Sequence, residues 1–189
     1  MVGVFNSRPP KPRYERTWDV DSVLRHLRRC GNSGLSLLQL SCKMVTLLAL
    51  NTLLRVSELA SIDLSSVRLS PLSVSFSLLA VRKAQRSGAL QGFLIPRFEL
   101  SELDPVECVE VYMKRTEPLR PKESPRLLIR CVKPHGSAGA STVARWIKTQ
   151  LGEVGVNTSY FSAHSTRGAT SSSFVSREWR SSRDGSSCR

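Results

Sequence analysis

The chain has 189 residues, with 28 Lys+Arg against 15 Asp+Glu for a formal charge of +13, so it is the size of one domain and strongly basic. Its 40% hydrophobic residues can supply a core without disulfides or a structural metal, since a compact fold of this length removes roughly 70% of the unfolded chain's surface. The most apolar stretch, residues 35–54, is interrupted by Ser36, Gln39, Ser41, Lys43, Asn51 and Thr52, which excludes a membrane span of about 20 residues. The opening MVGVFNSRPPKPRYER shows no secretory pattern, so an intracellular location is expected, nuclear if the host is a eukaryote. Cys30, Cys42, Cys108, Cys131 and Cys188 form no C-x-x-C pair, and His26, His135 and His164 are scattered among them. No metal and no small-molecule cofactor are expected. A charge of +13 makes nucleic acid the leading partner, because displacing counterions from a phosphate backbone is the commonest use of such a balance. The rival reading is a basic helical interaction protein with an acidic protein or RNA partner.

In chain order, residues 1–17 hold Pro9, Pro10 and Pro12 with Arg8, Lys11, Arg13 and Arg16, which reads as a flexible basic arm. Trp18, Val20, Val23, Leu24 and Leu27 fall near helical spacing and predict a short amphipathic helix that stops at Gly31. Residues 36–50 place leucines, Met44 and Val45 around more than half a helix, the pattern of a central core helix. Asn51 and Thr52 are expected to interrupt it, with a second helix from Arg55 to Ile62 starting near a Thr52 cap. Val74, Phe76 and Leu78 alternate with serines, predicting a strand that runs to about Lys83. Gln91–Phe98 is expected to return as a strand that Pro96 confines to an edge or to its own end. Asp104, Pro105 and Glu107 predict a capped helix closed by a capping box and running to about Arg115. Leu127–Cys131 reads as a third short strand. Ser141 is expected to cap a helix that buries Val143, Ile147 and Leu151, and a further helix is expected to start near Ser162. Eight of the last nineteen residues are serine with no apolar period, so residues 174–189 read as a disordered Ser/Arg tail.

Two pairs of residues and one separate cation carry chemistry. Arg55 and Glu58 are three apart, so the carboxylate can orient the guanidinium by a charge-assisted pair. His164 and Arg167 are also three apart and can converge on one phosphate from a single helix face. Lys83, with Arg82 and Arg86 close by, is a cation near the tip of the expected hairpin.

The segments LLALNTLLRVSELASIDL (47–64), AVRKAQRSG (80–88) and AHSTRGATSS (163–172), in this order, resemble the catalytic domain of the tyrosine recombinases and phage integrases. The intervening RTEPLRPKESPRLLIRCVKPHG and STVARWIKTQL look most similar to the DIRS-like retrotransposon branch, and hence to a transposable element. The resemblance implies a mainly α (α+β) fold, a helical bundle with a small antiparallel sheet, over residues 18–173. It implies DNA integration and recombination, the breaking and rejoining of strands through a 3′-phosphotyrosine, with other recombinase subunits as partners. It assigns Arg55 and Arg167 to the scissile phosphate, Lys83 to general acid catalysis and His164 to proton transfer, with Glu58 in support. The nucleophile is not found. Tyr14, Tyr112 and Tyr160 all precede the H-S-T-R box, and no tyrosine follows in the 22 residues after Arg167. The expectation is therefore a truncated, cleavage-deficient catalytic core without its last helices, in which one face of the 37–50 helix is left open.

Overall fold

Eleven consecutive residues, Leu40 to Leu50, are buried in one helix, and the remaining elements are arranged around it. The computed structural model describes residues 18–32, 34–79 and 92–158. Five helices, α1 (Val20–Arg29), α2 (Leu37–Thr52), α3 (Val56–Leu59), α4 (Pro105–Thr116) and α5 (Ala140–Glu153), combine with strands β1 (Arg68–Leu69), β2 (Ser73–Phe76) and β3 (Phe93–Pro96). Helices α4 and α5 pack on α2, α3 packs on α5, and the inner face of the sheet rests on α4. This is the mainly α architecture with a small antiparallel sheet that the sequence predicts. The basic arm (1–17), residues 80–91 and everything from 159 onward, including the tail at 174–189, lie outside the described residues.

Helix α2 starts with a closed capping box. Ser36 Oγ accepts from the Gln39 N–H, and the Gln39 side chain accepts from the Ser36 N–H at 2.9 Å. The helix runs through Asn51 and Thr52 instead of breaking there, because both side chains turn back and donate to the Leu47 and Leu48 carbonyls. It ends at Leu53, held left-handed at φ 53°, a conformation costing a non-glycine residue about 1–2 kcal/mol. The open face expected on this helix is not found: Leu38 near its start is about half exposed, and every residue from Leu40 to Leu50 is covered.

The sheet has the order β1-β2-β3 and is antiparallel throughout, with Val74 opposite Ile95 and Ser75 opposite Leu94. Val74 and Phe76 face the core, as the alternation predicts, and Pro96 closes the outer strand β3. The third strand is Arg68–Leu69, not Leu127–Cys131. Leu127, Leu128 and Ile129 are all buried, a run without a wet face, and the 126–137 region pairs only through single bridges, Arg126 with Asp63 and Ser137 with Ile129.

Asp104 caps α4 as expected, accepting from the Val106 and Glu107 N–H groups, with Pro105 in the first turn. Glu107 does not close the box. Its carboxylate instead accepts from Asn32 Nδ2 at 3.0 Å and from Ser101 Oγ, tying the α1–α2 connection to the entry of α4. Helix α5 begins one residue before Ser141, with Gly139 at the cap and no side-chain cap bond. Ser141 stands exposed in the first turn, while Val143, Ile147 and Leu151 are buried as expected.

Buried ionisable groups lie close to α2. Burial pushes the Cys42 and Cys108 thiols and the Tyr112 phenol up to about 12, and it pulls Lys43 down from its ordinary value. A buried thiol keeps a proton that the unfolded chain releases from about pH 8.5, so the thiols and Tyr112 make stability fall as pH rises from there toward 12. Lys43 acts in the opposite sense, because the native state releases its proton before the unfolded chain does. The three acids outnumber the one ammonium. The urea midpoint is therefore expected to fall between about pH 8.5 and 10.5. The Cys42→Ala/Cys108→Ala variant should start lower and show a flatter decline, and an equal slope in parent and variant would refute this account.

Candidate functional site

The site is built on the turn between α2 and α3. The left-handed Leu53 reverses the chain. Thr52 Oγ1 then accepts from the Leu54 N–H, and the buried Leu54 and Val56 clamp Arg55 between them as the residue preceding α3. The second helix expected from Arg55 to Ile62 is thus a single turn, Val56–Leu59, entered through Arg55 and not through Thr52.

Arg55 and Glu58 are brought together as expected. Glu58 Oε2 accepts from the Arg55 N–H at 2.7 Å, and Glu58 Oε1 accepts from Arg55 Nη1 at 3.1 Å. The two side chains are unequally covered, with Glu58 8% exposed and Arg55 33% exposed. The carboxylate is therefore the fixed partner and the guanidinium the group offered outward. A guanidinium has five N–H donors in a fixed fork, so the pair leaves donors free to converge on the oxygens of a phosphate. The geometry suits anion recognition by hydrogen bonds of fixed direction.

The other expected site residues, Lys83, His164 and Arg167, lie outside the described residues, as do Tyr14 and Tyr160. Tyr112 is described and is structural. It is fully buried, its hydroxyl accepts from the Ile129 N–H at 3.0 Å, and the Arg120 guanidinium lies 5.9 Å from its ring centre. Arg120 also donates to the Arg126 and Leu127 carbonyls and to Thr116 Oγ1. This knot joins α4 to the 126–129 segment. Nothing in the local sequence signals it, because its partners meet only through the tertiary fold. His135 sits in a loop with φ 58°, its Nδ1 against the Arg130 carbonyl. Among the described residues no group of three His, Cys, Asp or Glu is placed to hold a metal, and no helix is long and apolar enough to cross a membrane.

The helical core around α2 with its small three-stranded antiparallel sheet has the catalytic-domain fold of the tyrosine recombinases and integrases. The crystal structure of the XerH site-specific recombinase bound to palindromic difH substrate, a post-cleavage complex, aligns with a TM-score of 0.59 and 10% identity. That alignment covers 82% of this chain and 40% of XerH, so the chain spans about two fifths of that protein. A lambda integrase (75–356) dimer bound to a COC′ core site aligns with a TM-score of 0.48 and 16% identity, over 87% of this chain and 54% of that one. A lambda integrase tetramer bound to a Holliday junction aligns with a TM-score of 0.46 and 16% identity, over 82% and 41%. By sequence, no family model and no curated protein matches the chain.

The two members of the Arg55–Glu58 pair are expected to differ in what they contribute to folding. Glu58→Ala removes the acceptor that holds the start of α3 and is expected to cost about 1–2 kcal/mol in chemical denaturation, with Glu58→Gln costing about half as much. Arg55→Ala is expected to cost less than about 1 kcal/mol, because a partly exposed ion pair contributes little to stability. A larger loss for Arg55→Ala than for Glu58→Ala would make Arg55 a structural residue.

Proposed function

We propose that the protein binds DNA in the manner of a tyrosine recombinase, gripping a backbone phosphate through Arg55. The observation that carries this reading is the outward guanidinium of Arg55, fixed by the buried Glu58 in the fold of an enzyme class that includes the DNA-bound XerH. In the full reading Arg167 supplies a second fork on the same phosphate, Lys83 protonates the leaving oxygen and His164 moves the proton. Two arginines on the non-bridging oxygens would stabilise charge that grows as the phosphorus becomes five-coordinate. The proposal is recombinase-type binding, and the nucleophile that strand cleavage requires is not assigned to any tyrosine of these residues. Other recombinase subunits are the expected protein partners, the nucleus the expected location in a eukaryotic host, and a transposable element the expected origin.

The binding is expected to weaken steeply with salt, since a chain of charge +13 displaces several counterions from the duplex. Arg55→Ala and Arg167→Ala should each lower duplex affinity about tenfold, or about 1.4 kcal/mol, in an electrophoretic shift assay. Nicked suicide duplexes run on a denaturing gel should show no covalent adduct. An adduct lost in both arginine variants would restore cleavage to the function. Equal affinity for duplex DNA and for a non-nucleic polyanion of the same charge density would remove the recombinase reading in favour of a generic basic interaction protein.

A further inference from the structure

Helices α1, α2 and α5 enclose a cavity of about 80 Å³ that none of the interactions described so far uses. Leu27, Leu35 and Leu38 give it an apolar wall. It opens to solvent where the exposed Gln39 and Thr149 and the half-exposed Leu38 form its mouth. Cys30 and Lys43 line it as well.

Lys43 is the unusual member of that lining. It is 1% exposed, and an ammonium carries three N–H donors. One of them is taken by the Cys30 carbonyl, the single hydrogen-bond partner of this side chain among the described residues. No carboxylate of the described residues forms an ion pair with it. Glu107 and Glu102 act on it from beyond contact, and Glu107 is already engaged by Asn32 and Ser101. Burial pulls Lys43 down from its ordinary value, as expected of a cation that lacks a close counter-ion. A buried charge is costly unless it is matched. Both ends of the Lys43–Cys30 bond line the cavity, so the anion that would match this one can reach it from there. The carboxylate of the lining itself, Glu153, is spent elsewhere. Its Oε2 lies 3.2 Å from His26 Nε2 and accepts from Gln150 Nε2 at 2.7 Å.

We propose that this cavity binds a small aliphatic carboxylate, with the carboxylate on Lys43 and the chain against Leu27, Leu35 and Leu38. At roughly 15 Å³ for each water position the volume holds about five, which matches butanoate and is too small for octanoate. A phosphate carried on a nucleic-acid backbone cannot enter a space of this size. The site is therefore separate from Arg55, and it is tested without DNA.

The test is ligand-observed NMR titration of the full chain with acetate, butanoate, octanoate and butanamide at constant ionic strength. Butanoate is expected to bind saturably, with a Kd in the millimolar range set by its few atoms. Acetate, octanoate and the uncharged butanamide should each bind about tenfold more weakly or worse. Lys43→Met keeps the apolar stem and removes the charge, and it should abolish the preference for butanoate over butanamide. Leu38→Trp fills the mouth, leaves Lys43 in place and should weaken butanoate about tenfold, so the outcome does not rest on the folding of one variant. Absence of saturable butanoate binding overturns the proposal. So does binding that is equal for all three acids or unchanged in both variants, which is the behaviour of diffuse attraction to a basic surface.

Discussion

The burial of α2 is the constraint on which the rest of the structure depends. A helix covered from Leu40 to Leu50 must satisfy every polar group within that stretch from inside the protein. Ser41 and Thr46 do so locally, donating to the Leu37 and Cys42 carbonyls. Lys43 cannot. Its ammonium reaches the Cys30 carbonyl, which fixes the end of α1 over the middle of α2. Leu37 and Thr52 bound the helix through opposite devices, a reciprocal capping box at one end and a left-handed leucine at the other. The second device matters more for the site, because the reversal at Leu53 determines where Arg55 leaves the core.

The site illustrates a division between geometry and field. Arg55 and Glu58 form a pair with no net charge, so the pair adds almost nothing to long-range attraction. What it contributes is direction. A carboxylate covered to 8% exposure is costly unless its oxygens accept hydrogen bonds, and the Arg55 N–H and Nη1 each donate to one of them. The guanidinium is held as a consequence of satisfying the carboxylate. Long-range attraction to a polyanion comes instead from the excess of Lys and Arg across the chain, which acts beyond contact distance and is screened by salt.

Sequence periodicity made much of this legible, for specific reasons. The α2 stripe, the Val74/Phe76 alternation and the Asp104–Pro105 cap are local patterns, and each reports a face or an end of one element. The Arg55–Glu58 pair was legible because its partners lie one turn apart. The errors fall where a local pattern competes with a distant partner. Glu107 leaves its own cap because Asn32, 75 residues away in sequence, brings a donor to it. Leu127–Cys131 has strand composition but is drawn wholly into the core, where only single bridges form. The knot of Tyr112, Arg120, Leu127 and Ile129 has no sequence signature, since a half-buried arginine that donates to backbone carbonyls looks the same in sequence as a solvated one.

The acids of residues 99–110 show how a folding requirement can become a property of the whole surface. Asp104 is there to cap α4, Glu107 to hold Asn32 and Ser101, and Glu110 to pair with Arg97. Each has a local reason that concerns the start of α4 and the end of β3. Together they gather one third of the chain's 15 acidic residues into one neighbourhood and leave the rest of the surface more basic than composition alone implies. A molecule charged in this way does not meet a polyanion at random. Glu99 and Glu102, the two acids without a capping or ion-pair role in the described structure, deepen the negative pole beside exposed leucines.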